Sequence, residues 1–270
     1  RDDVRERGRG EMMRLWLLAT AGALLTLAAC GGRVTEPSEA QTEQEPAMAP
    51  LAIPGRLRAV WAPASRAGSA VARLNINTVL LQPESWGDNL TGYAHWSRER
   101  GVGAIPYVGQ CFEGARAGWD AGWTNVERWS APLRTAGILW GYQGIDEPAL
   151  HARVSAGARD VSNAYIRARG FEVFATEWIE FVSDRKLHRL GRPPGVRWFA
   201  ITCYAYGGRT PWHVQGCSEE YARHPDWDTV VIPEGPAYNQ AAGYPYDQAR
   251  WEAIAGNSRS VAFWSPESER

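Results

Sequence analysis

Eight short apolar runs separated by helical or irregular stretches, with no glycine-rich phosphate turn after the first, predict an α/β fold. The expected architecture is a small (β/α)8 TIM barrel. Strands that alternate with helices pair in parallel through right-handed crossovers. Eight such units in about 215 residues sit near the lower size limit of that barrel. A doubly wound sheet is the alternative, but the first run ends WAPAS, with neither GxGxxG nor GxxxxGK.

The eight runs are LRAVWAPAS (57–65), INTVLLQPES (76–85), VGAIPYVGQ (102–110), LWGYQGIDEP (139–148), FEVFATEW (171–178), VRWFAITCYAY (196–206), DTVVIPEG (228–235) and SVAFWSPES (260–268). Their continuous apolar character is that of strands covered on both faces. Between them, LTGYAHWSRERG, NVERWSAPLRTAG and PALHARVSAGARDVSNAYIRARG each read as a helix stopped by glycine. YDQARWEAIAGN reads as a helix before the last strand. The run AGWDAGW, after the third strand, reads as a loop. The helix that should close the barrel after strand eight is expected to be missing or irregular.

Composition narrows the function. The formal net charge is -1 and 44% of the residues are hydrophobic, which fits a globular core and argues against a nucleic-acid binder. Fourteen tryptophans are an unusual number, and flat indole faces at strand ends suit the stacking of sugar rings. Tryptophans inside expected helices, such as Trp129 and Trp251, read as packing.

The chain divides into four stretches. Residues 1–11 are charged and precede the first Met, and read as upstream translation outside the native protein. Residues 12–30, MMRLWLLATAGALLTLAAC, have a basic start at Arg14 and an apolar run too short to span a bilayer, as in a signal peptide. The ending LAAC resembles a bacterial lipoprotein lipobox, which implies lipidation of Cys30 and an exported, membrane-anchored protein facing the periplasm or cell exterior. Residues 31–54 carry Pro, Glu and Gln without apolar period and read as a flexible tether. Residues 55–270 form the barrel. In an exported domain Cys203 and Cys217 could pair, leaving Cys111 outside the bridge. His213 and Cys217 are four apart, but no CxxC or HxxxH pattern accompanies them, so no metal is expected.

In a barrel the chemistry gathers at the C-terminal ends of the strands. In strand order those ends supply Trp61; Glu84 and Trp86, beside Gln82; Tyr107 and Gln110; Asp146 and Glu147; Glu177 and Trp178; Tyr204 and Tyr206; Glu234; and Trp264 and Glu267. Acids and aromatics at one pole are what carbohydrate chemistry needs. One carboxyl protonates the leaving oxygen and the other attacks the anomeric carbon or activates water.

At these residues the sequence resembles the large retaining clan of barrel glycoside hydrolases, the cellulase, mannanase and β-galactosidase relatives. GIDEP at strand four is similar to the clan's NEP element, and the resemblance implies that Glu147 is the acid/base. VVIPEG at strand seven implies that Glu234 is the nucleophile. Tyr204 or Tyr206 would match the tyrosine that contacts the nucleophile, and Trp264 the strand-eight sugar platform. Asp146 stands where the clan usually carries Asn, and Pro233 before Glu234 is also a departure. No DxxDxDxE element of the chitinases is present. The resemblance implies an oligo- or polysaccharide substrate, no cofactor and a monomer held by a lipid anchor. Three alternatives stay open. DEP also reads as a helix start, with Asp as cap, Glu at the positive dipole end and Pro in the first turn. A carbohydrate-binding lipoprotein without catalysis, or chemistry by Asp146 with Glu177 or Glu84, would fit the same strand ends.

Overall fold

The computed structural model describes residues 47–68, 71, 76–82, 85–86, 88–112, 115–145, 156–178, 192–203, 229–233 and 260–264. Of residues 156–158, 177–178, 201–203, 229–233, 261 and 263–264 it describes the backbone only. The lipobox and most of the tether, the helix expected at 246–257 and the chain after Trp264 lie outside the described residues.

Each of the eight apolar runs holds one strand: β1 (Arg58–Ala62), β2 (Thr78–Leu81), β3 (Gly103–Pro106), β4 (Gly141–Gln143), β5 (Glu172–Trp178), β6 (Trp198–Cys203), β7 (Thr229–Pro233) and β8 (Ser260–Trp264). They form one sheet in the order β3-β2-β1-β8-β7-β6-β5-β4. The pairings are parallel, from β1 with β2 and β8 through to β4 with β5. The two ends of that order meet as well. Ala104 bridges Leu139 and Tyr107 bridges Gln143, both in parallel sense.

The sheet is rolled. In a flat sheet β1 and β5, four places apart in that order, would lie about 19 Å from each other at the usual strand spacing. Instead the rings of Trp61 on β1 and Phe174 on β5 meet edge to face with centroids 6.0 Å apart. Leu57, Ala59, Trp61, Leu80, Ile105, Trp140, Phe174, Trp198, Ala200 and Ala262 form one buried cluster inside the roll, drawn from or beside seven of the eight strands. Alternate residues of the same strands, among them Val60, Val79, Ala104, Val173 and Phe199, face outward into two further clusters. This alternation, with both faces covered, gives the TIM-barrel-like sheet its continuous apolar strands.

Three helices are described: α1 (Thr91–Glu99), α2 (Trp119–Thr135) and α3 (Ala156–Arg167). The glycines expected to stop them do so in the left-handed region, with φ of 67° at Gly101, 65° at Gly137 and 84° at Gly170. The start of α2 corrects the sequence expectation. AGWDAGW is not a loop: Arg116–Gly118 is a 3-10 turn and Trp119 opens the helix. Packing explains the change. Trp119 and Trp123 bury their rings against Phe112, and Trp123 meets Tyr142 edge to face, so burial outweighs the poor helix propensity of Gly122. In the same layer the Tyr142 hydroxyl lies 2.7 Å from Ser130 Oγ. Burial pushes its pKa up to about 12, while the Ser130 contact acts weakly the other way.

The end of the stretch read as a tether is held to the domain. Met48 N–H donates to the Thr135 carbonyl (2.8 Å) and Leu51 N–H to the Gly137 carbonyl (2.7 Å). Arg98 Nη1 donates to the Ala49 carbonyl (2.8 Å). Leu51 and Ile53 pack against the cluster inside the roll. The ordered contacts therefore begin by residue 48, ahead of the expected boundary at 55. They lie at the N-terminal pole of the strands, because Gly137 precedes β4 and Arg98 precedes β3.

Candidate functional site

The opposite pole collects the C-terminal ends of the strands. Its described floor is made by two side chains from nearly opposite sides of the roll. Trp61, 5% exposed, donates its indole N–H to Gln143 Oε1 at 2.9 Å. Gln143 is itself buried at the end of β4. Thr176 on β5 is fully buried at the same level as the strand ends. Trp61, expected as a sugar contact, is therefore a buried crosspiece whose indole donor is committed to Gln143.

A β-bulge puts Gln143 there. Between the two bridges that join β3 to β4, β3 advances three residues, from Ala104 to Tyr107, and β4 advances four, from Leu139 to Gln143. The extra residue breaks the strand's alternation. Trp140 points into the roll, Tyr142 packs outward, and Gln143 points in again to meet Trp61.

The connections after β2 and β3 interlock at the rim. Ser85 N–H donates to the Gln82 carbonyl (3.0 Å), and Ser85 Oγ accepts from Ala64 N–H (2.9 Å). The Trp86 indole N–H donates to the Tyr107 carbonyl at 3.2 Å, and that of Trp129 to the Ser85 carbonyl at 3.0 Å. The two indoles stack, with centroids 5.0 Å apart and planes 20° from parallel. Trp129 packs against an outer cluster, as expected, and its contacts with Trp86 and Ser85 also tie it to the rim. Tyr107 is half-buried, with its hydroxyl 2.5 Å from where a Cβ on Gly109 would lie, so Gly109 is needed for the ring to fold back. Gln110 follows, half-buried, in the 3-10 turn Gly109–Phe112, and Cys111 of that turn is a buried thiol against Gly122.

The other expected residues divide in two. Glu177 and Trp178 end β5 in register with Ile201 and Thr202, and Trp264 ends β8 in register with Trp61. Cys203 ends β6 opposite Pro233. Glu84, Asp146, Glu147, Tyr204, Glu234, Cys217 and Cys30 lie outside the described residues. The chain leading to the two expected catalytic carboxylates is described: Glu234 directly follows Pro233, the last residue of β7, and Glu147 comes two residues after Ile145, just beyond β4.

Two residues were missed by the sequence. Gln143 carried one signal, a polar side chain inside the apolar run LWGYQGI. Asn163 on α3 carried none. It is buried, and among the described residues neither its Oδ1 nor its Nδ2 has a hydrogen-bond partner. Its Oδ1 lies 2.7 Å from where a Cβ on Gly144 would be, so it backs directly onto the end of β4. Among the described residues no group of three His, Cys, Asp or Glu side chains could hold a metal ion, and no helix is long and apolar enough to cross a membrane.

No family model matches the chain, and no curated protein matches it. Solved structures are similar at low identity. A crystal structure of ScGas2 in complex with compound 11 is 13% identical at a TM-score of 0.49, covering 84% of this chain and 64% of that one. ScGas2 in complex with compound 6 is 14% identical at a TM-score of 0.45, covering 76% of this chain and 52% of that one. A Thermobacillus composti GH10 xylanase is 10% identical at a TM-score of 0.48, covering 78% of this chain and 84% of that one. This chain thus spans between about half and two thirds of the ScGas2 chains it resembles.

Proposed function

We propose that the chain is a (β/α)8-barrel glycoside hydrolase that cleaves a glycosidic bond with retention, using Glu147 as acid/base and Glu234 as nucleophile. One observation carries this reading. The strands that lead to the two glutamates, β4 and β7, belong to one rolled parallel sheet, so the strand ends from which the chain continues to Glu147 and Glu234 lie at the same pole. Trp61, Trp86, Tyr107 and Gln110 stand at that pole too.

In the first step the Glu234 carboxylate attacks the anomeric carbon. The bond to the leaving oxygen breaks as Glu147 gives that oxygen its proton. In the second step Glu147, now a carboxylate, takes a proton from water. The resulting hydroxide attacks the anomeric carbon and releases Glu234. Two inversions leave the configuration unchanged. Asp146, Tyr204 and Trp264 orient the sugar. Trp86, Tyr107, Gln110, Glu84, Glu177 and Trp178 line the path of an oligo- or polysaccharide, over the crosspiece of Trp61. The protein works as an exported monomer anchored by lipid on Cys30, with a Cys203–Cys217 bridge over the strand-six loop.

Glu147→Gln and Glu234→Gln test the assignment on aryl glycosides and on polysaccharides. Gln keeps the shape of Glu but neither gives the proton nor forms the glycosyl ester. Glu234→Gln should be inactive on every substrate. Glu147→Gln should lose about 10²–10⁴-fold on poor leaving groups, and far less on activated aryl groups, which barely need protonation. Full activity of Glu147→Gln on polysaccharide would leave GIDEP a capped helix start. Glycan binding by a wild type without hydrolysis would make the chain a binding protein.

A further inference from the structure

We propose that Gln143 is a positioning residue for the end of β4, from which the chain continues to Asp146 and Glu147; the inference rests on the reading of Glu147 as acid/base. Gln143 stands four residues before Glu147, at the last paired position of β4. The bulge between Leu139 and Gln143 spends one residue of the strand and turns this amide into the roll. Bulges recur beside active sites because they re-aim a side chain.

The partner fixes the amide. An indole N–H can only donate, so the atom 2.9 Å from Trp61 Nε1 is the Gln143 carbonyl oxygen, and the flip of the amide is set by chemistry. Trp61 is fixed in turn by the edge of Phe174 at 6.0 Å. The backbone around the amide is tied on both sides. The Gln143 carbonyl accepts from Val108 N–H at 2.9 Å, and Gly144 N–H donates to the Phe174 carbonyl at 3.2 Å. Asn163 closes the outer side, with no room at Gly144 for a Cβ. The end of β4 is thus held from β3, from β5, from α3 and, through Gln143, from β1. A mere strand end needs only the first two. The lock across the roll adds a reference point on the far side of the mouth, next to β8 and one strand further from β7, from which Glu234 departs.

A lock of this kind acts on geometry, so its loss should appear in the chemical step. A displacement of about 1 Å can cost about 10²-fold in rate. The full chain is compared with Gln143→Met, which keeps the length and removes both polar atoms, and with Trp61→Phe, which removes the indole donor together with part of the ring but keeps an aromatic side chain. Each is assayed on an unactivated oligosaccharide and on its dinitrophenyl glycoside, with thermal unfolding as control. The expected result for Gln143→Met is a kcat about 10–100-fold lower on the oligosaccharide, a much smaller loss on the dinitrophenyl glycoside, and KM within twofold on both. Trp61→Phe should show the same split at smaller amplitude, and it decides the matter if Gln143→Met does not fold. A purely structural role would lower the unfolding temperature and leave the ratio of the two kcat values unchanged, which overturns the proposal while the hydrolase reading stands. A folded wild type that neither cleaves nor binds any glycan overturns both.

Discussion

Replacing Gly103 by Ala tests the packing inside the roll. The ideal Cβ at this position would meet Cδ2, Cε2 and Cε3 of Trp140, more than 1 Å inside the roughly 3.5–4.0 Å of ordinary carbon contact. Two effects oppose each other. Ala restricts the unfolded chain and, at a position with ordinary backbone angles, stabilises by about 0.4–1 kcal/mol. The collision must be relieved by moving an indole that is only 5% exposed and surrounded by Trp198, Phe174 and Ile105, and such overpacking costs about 1–3 kcal/mol. The collision involves ring atoms of a pinned side chain, so it wins. The net loss should be about 1–2 kcal/mol, or about 2–8 °C in Tm for a domain of this size. Urea unfolding and thermal unfolding measure it. The cycle with Trp140→Leu isolates the cause: in that background Gly103→Ala should be neutral or stabilising. An equal loss in both backgrounds, or no loss in the wild type, would refute the placement of Trp140 on Gly103.

The raised phenol of Tyr142 predicts an alkaline limb. Its pKa is about 12 in the fold against about 10 unfolded, so the unfolded state loses its proton first and stability falls as pH rises from 10 to 12. The stability of the wild type relative to Tyr142→Phe should shrink by about 3 kcal/mol across that window, read by urea unfolding at each pH; a constant difference contradicts the buried phenol. Gly137→Ala must hold a φ of 65° and place its Cβ 2.6 Å from the Ala49 carbonyl. It should cost about 1–2 kcal/mol from the backbone alone and hasten protease cleavage at 47–53, and unchanged cleavage would count against the docking of that segment. Cys30→Ser should release the protein from the membrane fraction with loss of acyl label, and unchanged partition sinks the lipobox assignment.

The strands were legible because a strand buried on both faces cannot avoid an apolar run, and each of the eight runs contains one. Helix ends were legible for a similar reason: a left-handed stop almost requires glycine, and Gly101, Gly137 and Gly170 supply it. What failed was set by contacts distant in sequence. AGWDAGW has the composition of a loop, and only the rings of Phe112, Tyr142 and Phe171 make it the start of α2. The bulge in β4 is defined by register against β3, and its one local sign was the polar Gln143 inside LWGYQGI, which alone could not show that the side chain turns inward. Trp61 was recognised as a strand-end aromatic, but its commitment to Gln143, 82 residues away, was not visible. Asn163 is one polar residue on a helix, and only the missing Cβ of Gly144 brings it against β4. Glu147 and Glu234 were read from short motifs, and the structure adds the strands that precede them.

The docked segment 48–51 has a mechanical consequence. Its hydrogen bonds to Thr135, Gly137 and Arg98 gather at one pole of the strands, and the strand ends that carry the expected chemistry gather at the other. Any pull on the chain ahead of residue 48 is therefore taken up at the base of the roll, at the pole away from the mouth. Were the proposed lipid anchor to hold the chain ahead of residue 48, the protein would swing like a buoy on its chain. In that case its mouth would face away from the anchor, and the drag of a substrate held there would be borne by backbone bonds at the far end from the strand ends.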